Sequence, residues 1–150
     1  MSLYSIALFV HIVGALSLFA LLAIEGVSLR AGISPRGIQQ SLGPVSAVSI
    51  VIPGFYMAAQ IGWQGWVAVG LVSYAVIAAL GAYTGINLMR GRMSRSAATV
   101  SWLARVGIAL GVVFDMTVKP NLLVAAGVVL VAMIAGAAIG MITRREVRTA

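Results

Sequence analysis

Seven side chains of chemically capable type lie in or beside long apolar runs of this sequence: His11, Glu25, Tyr56, Arg105, Asp115, Met116 and Lys119. His11 is the only histidine, and cysteine is absent, so disulfides, thiolate metal sites and cysteine-ligated iron–sulfur clusters are excluded. An imidazole inside an apolar run has two readings. It is a neutral group bonded to a neighbouring helix, or it is an axial haem ligand, a metal ligand or a proton-handling group. One histidine cannot supply both axial ligands of a haem within one chain. A second copy across a two-fold axis, or Met116, could supply the other. Asp115 and Lys119 have the i,i+4 spacing of a helical ion pair, although Pro120 disfavours α geometry in the residue before it.

The constellations of soluble enzymes are missing. The chain has no H-E-x-x-H, no phosphate-cradling glycine loop and no paired carboxylates at one depth. Its serines are scattered around a single histidine, so a hydrolytic triad is not expected.

The elements that must position these residues follow from composition. Of 150 residues, 61% are hydrophobic and 9% charged, whereas soluble domains carry about 25% charged residues. Such a chain cannot cover its own surface with polar groups, so its solvent is lipid. The formal net charge is +7, but the basic residues fall between apolar runs, where they orient spans and meet anionic headgroups; nucleic acid is not an expected partner.

Five runs are each near the ~20 residues that cross a bilayer core. They cover about residues 3–29, 42–61, 66–88, 98–116 and 122–142. Backbone groups in lipid must be satisfied within each segment, so the expected fold is all-α, a polytopic transmembrane helical bundle in one integral membrane domain. The connections "RAGISPRG" and "MRGRMSRS" and the tail "TRREVRTA" are basic. The N-terminus and "GWQGW" carry no Lys or Arg, and "DMTVKPN" is balanced. The alternation predicts the N-terminus outside and the C-terminus in the cytoplasm, in the inner (plasma) membrane. The first run lacks a basic n-region and is too long for a signal peptide, so it reads as a retained span. The fourth run is the shortest and contains Arg105; if it did not cross, the alternation would break.

Smaller signals agree with this layout. Trp63, Trp66 and Tyr4 are placed as interfacial anchors. Pro35 and Gly37 are expected to end the first helix, Pro53 to kink the second and Pro120 to stop the fourth. Gly81/Gly85, Gly107/Gly111 and Gly136/Gly140 have GxxxG spacing, which allows close helix approach. No internal repeat is evident, so an inverted-repeat transporter is not supported.

His11 and Glu25 lie two heptads apart on one face of the first span, since each heptad drifts only about 20°. At ~1.5 Å rise per residue, His11 is roughly 12 Å below the outer end, and Glu25 is roughly 6 Å from the inner end. Arg105 enters from the cytoplasmic side to roughly 10 Å, near the depth of Glu25. An ion pair between them would neutralise two charges that are each expensive in lipid.

Two segments carry a resemblance. "FVHIVGAL" (residues 9–16) and "LARVGIALGVVFDMTVKP" (103–120) resemble an uncharacterised bacterial integral-membrane family, domain of unknown function family 2269. A histidine early in the first span and a Lys-Pro after a Met-containing run recur in that family. Here these are His11 and Lys119-Pro120, with Met116 nearby. More distantly, the pattern is similar to CopD-type copper-resistance membrane domains and to membrane protoporphyrinogen oxidases, which use a histidine in an early span and a lysine after a later one. The resemblance implies haem, porphyrin or copper chemistry near His11 and Lys119. This chain departs from those relatives in having one histidine only.

Three functions follow as expectations. The first is a haem b or metal/redox site built on His11. Lys119 would meet a propionate, Met116 would be a second ligand, and Tyr56 and Asp115 would tune protonation. The second is a cofactor-free subunit of a homo-oligomer or larger membrane complex. The third, a small-solute or ion transporter, needs a water-lined path, and the sequence offers only two short polar patches. If Glu25 and Arg105 form a clamp, Glu25→Gln or Arg105→Leu alone should lower the yield of monodisperse protein. The double substitution should restore it, read by fluorescence-detected size exclusion.

Overall fold

In a computed structural model describing residues 2–33 and 36–149, five helices account for nearly all of the chain. They are α1 (Leu3–Ala31), α2 (Arg36–Ile61), α3 (Gly65–Met89), α4 (Arg95–Val118) and α5 (Leu122–Thr149), with no strand among the described residues. All five are long and apolar enough to cross a membrane. The fold is all-α and the spans fall where hydropathy places them.

Each helix matches or overruns its apolar run, α2 and α5 by up to two turns, because hydropathy marks the hydrocarbon layer whereas capping chemistry marks the helix ends. The Ser2 side chain accepts the Ser5 N–H at the start of α1, and the Ser94 side chain accepts the Ala97 N–H at the start of α4. α1 stops at Gly32, whose φ of 72° is left-handed and whose N–H bonds to the Ser28 carbonyl. The expected stop was later. Gly37 already belongs to the first turn of α2, and Pro35 lies outside the described residues.

The chain divides into two compact units, Met1–Gln64 and Gly65–Ala150. In the first, α1 and α2 pair closely. A Cβ on Gly14 would lie 2.8 Å from the carbonyl carbon of Ser49, so the two backbones touch there. Pro53 lies within α2, as expected, and Pro44 does too. Trp63 is exposed, as suits an interfacial anchor, and meets Phe55 edge-on at 5.7 Å between ring centroids.

In the second unit α4 packs against both α3 and α5, and it is the most buried of the five spans. Its polar residues are there because it faces helices rather than lipid. At 24 residues it is ~36 Å long, enough to cross. The α4–α5 seam is built on two of the GxxxG pairs, facing each other in antiparallel register. A Cβ on Gly107 would strike the carbonyl oxygen of Ala132, and one on Gly136 that of Leu103. Gly111 and Gly140 lie against the Cα atoms of Val129 and Val100, at 2.9 and 2.8 Å from their would-be Cβ atoms. The third pair splits: Gly81 faces a side chain of α4, and nothing lies within 4 Å of a Cβ on Gly85.

Gly107→Ala should therefore lower unfolding stability in detergent by ~1–3 kcal/mol through overpacking. Gly85→Ala should raise it by up to about 1 kcal/mol through helix propensity. Denaturant titration followed by circular dichroism distinguishes the two.

Candidate functional site

The α1–α2 pair sets the environment of the single histidine. Gly14, one turn beyond His11, removes the Cβ that would hold the helices apart, and the Ser46 hydroxyl donates to the Gly14 carbonyl at 3.1 Å. The imidazole of His11 can then lie along α2. Its Nδ1 is 2.8 Å from the carbonyl oxygen of Ile50, and its ring edge rests on Gly54, whose would-be Cβ falls 3.3 Å from Cε1.

A carbonyl oxygen only accepts, so Nδ1 carries the proton, and in the neutral ring the lone pair is on Nε2. Nε2 makes no hydrogen bond among the described residues. The acceptor lies in the turn that Pro53 disturbs. Pro53 has no N–H for the Ser49 carbonyl, and its ring crowds that turn, so the donor from α1 arrives where the α2 ladder is interrupted.

Tyr56 belongs to the same unit but projects about 160° around α2 from Gly54, from another face of the helix. Its hydroxyl makes no hydrogen bond among the described residues.

Asp115, Met116 and Lys119 belong to the second unit, as does Arg105. Lys119 ends α4 in a left-handed conformation, φ 54°, and its N–H bonds to the Asp115 carbonyl at 2.8 Å. That turn aims its ammonium at the ring of Trp66, 5.8 Å from the centroid, a cation–π contact. Trp66, expected as an interfacial anchor, is buried. The Asp115–Lys119 ion pair suggested by the spacing is not formed. The Asp115 carboxylate is fully buried and neither oxygen has a hydrogen-bond partner among the described residues. The Met116 methyl sits against Gly70, 2.5 Å from where a Cβ would be.

Arg105 is buried, and its Nη1 lies 3.1 Å from the would-be Cβ of Gly81. One turn away, the hydroxyls of Thr84 and Ser101 bond at 2.7 Å. Gly81 thus serves as a berth for a guanidinium, a use its GxxxG spacing does not reveal. Sequence reasoning also missed Ile50 and Gly54; the adjacent Pro53-Gly54 is the one signal that could have pointed to them.

No group of three or more His, Cys, Asp or Glu gathers among the described residues. The helices define the class: a small multi-pass integral membrane protein. Comparison with family models, curated proteins and solved structures found no match.

Nitrogen-15 NMR of the histidine should find Nδ1 protonated and Nε2 bare. Gly54→Val drives a branched side chain into the ring and should abolish that fixed tautomer.

Proposed function

We propose that this protein resides in the inner (plasma) membrane, with its basic connections facing the cytoplasm, and holds haem b through Nε2 of His11. One observation carries the reading: the Nδ1–H bond to the Ile50 carbonyl at 2.8 Å. An imidazole that donates one ring N–H to a backbone carbonyl has its orientation fixed and its other nitrogen made more basic, as ligating histidines generally do. The donor set favours porphyrin over a bare copper ion. A porphyrin brings four nitrogens of its own and asks one imidazole of the protein, whereas a bare ion needs several side-chain donors. No group of three or more His, Cys, Asp or Glu gathers among the described residues. Bound haem would supply one-electron redox chemistry. The chain itself orients the imidazole, fixes its tautomer and excludes water with the apolar faces of α1 and α2. With one histidine per chain, a second axial imidazole would come from another copy.

A second reading, a cofactor-free subunit of a larger membrane complex, is favoured by the self-sufficiency of the α1–α2 seam. The His11–Ile50 and Ser46–Gly14 bonds tie the helices with no added group.

His11→Asn separates the two, because the Asn amide can donate from the Nδ1 position but offers nothing at Nε2. Protein purified in mild detergent after haem supplementation should show a Soret band that His11→Asn removes without lowering the melting temperature. No Soret band and no stoichiometric metal in the wild type would sink the redox reading. An unchanged melting temperature in His11→Asn, with a co-purifying partner, would then support the subunit.

A further inference from the structure

Asp115 is the one described carboxyl in the second unit, and packing does not explain it. It is 0% exposed, and both oxygens lack hydrogen-bond partners among the described residues. The described residues around it offer no counter-charge. On α5, the seam pairs Gly140 with Val100, Gly136 with Leu103, Gly107 with Ala132 and Gly111 with Val129. One further turn sets Asp115 opposite Ala125, which is itself fully buried. No titratable residue occurs on α5 between Leu122 and Thr143. On α3 the titratable residues are Tyr74 and Tyr83, and the α3 contacts beside Asp115 are those of Gly70 with Met116 and Val112. On α4 itself, Lys119 is turned to Trp66, and Arg105 lies ten residues away, roughly 15 Å along the helix.

An ionised carboxylate with no partner in such a place is far costlier than the neutral acid. Nothing in the helix asks for aspartate either, since Asp is a poor helix former and an apolar side chain would fill the space. We propose that Asp115 is a proton-binding site, a carboxylic acid that carries one exchangeable hydrogen within the α3–α5 unit. It lies three residues, ~5 Å, from the end of α4, so local opening of the last turn can connect it to water. The site is separate from His11 and stands whether or not haem binds.

A neutral acid in an apolar setting has a specific chemistry. Its O–H adds across one C=N bond of a carbodiimide: oxygen bonds to the central carbon and the proton passes to nitrogen. The acyl group of that O-acylisourea then migrates to nitrogen, leaving a stable N-acylurea with nothing expelled. Intact protein in liposomes, treated with apolar dicyclohexylcarbodiimide, should gain one adduct, mapped by peptide mass spectrometry to Asp115. A water-soluble cationic carbodiimide should leave Asp115 unlabelled. Asp115→Asn should lose the adduct, and His11→Asn should keep it.

A second measurement needs no substitution, because Asp115 is the only aspartate in the chain. Carbon-13 aspartate labelling should shift one protonated-acid carbonyl band in the infrared at neutral pH, and that band should move again in deuterium oxide. An isotope-shifted carboxylate band in place of the acid band, or no adduct at Asp115, would overturn the proposal.

Discussion

A polar group in the hydrocarbon of a membrane has no water to bond, and the structure of this protein follows from how each such group finds a partner. For the backbone the answer is five helices. For hydroxyl and amide side chains it is mostly the preceding turn of their own helix. Ser17 donates to the Val13 carbonyl, Asn87 to Tyr83, Thr99 to Arg95 and Thr117 to Val113. Bonded to their own helix, these side chains ask nothing of a neighbour.

A smaller set crosses between helices, and it defines where the protein is specific. His11 bonds to Ile50, Ser46 to Gly14, and Thr84 to Ser101. Two of these crossings depend on a missing Cβ at Gly14, and a second missing Cβ, at Gly81, receives the Arg105 guanidinium. Glycine therefore has two uses here. At Gly107, Gly111, Gly136 and Gly140 it lets backbone meet backbone; at Gly54 and Gly81 it makes room for a functional side chain. Asp115 is the exception to both patterns, a carboxyl that bonds neither its own turn nor a neighbour among the described residues.

The same division governs what could be read in advance. The five spans, their limits to within a few residues and the single-histidine limit on ligation were legible, because hydropathy, length and residue counts are local properties. The candidate site was legible only as residue types. The spacing of Asp115 and Lys119 suggested an ion pair, but the left-handed turn at Lys119 sends the ammonium to Trp66 instead. The short fourth run with Arg105 inside it suggested a marginal span, whereas α4 is a full-length helix packed against both α3 and α5.

By itself, then, the sequence determined a membrane protein of five helices with one imidazole and few charges, because transfer into lipid depends on composition summed over ~20 residues. Only the tertiary structure decided which nitrogen of His11 is bonded, which glycines touch backbone and which receive side chains, and that Asp115 has no hydrogen-bond partner among the described residues. Each of those depends on a crossing point between helices, set by a few ångströms of approach. Periodicity along one helix does not contain that distance.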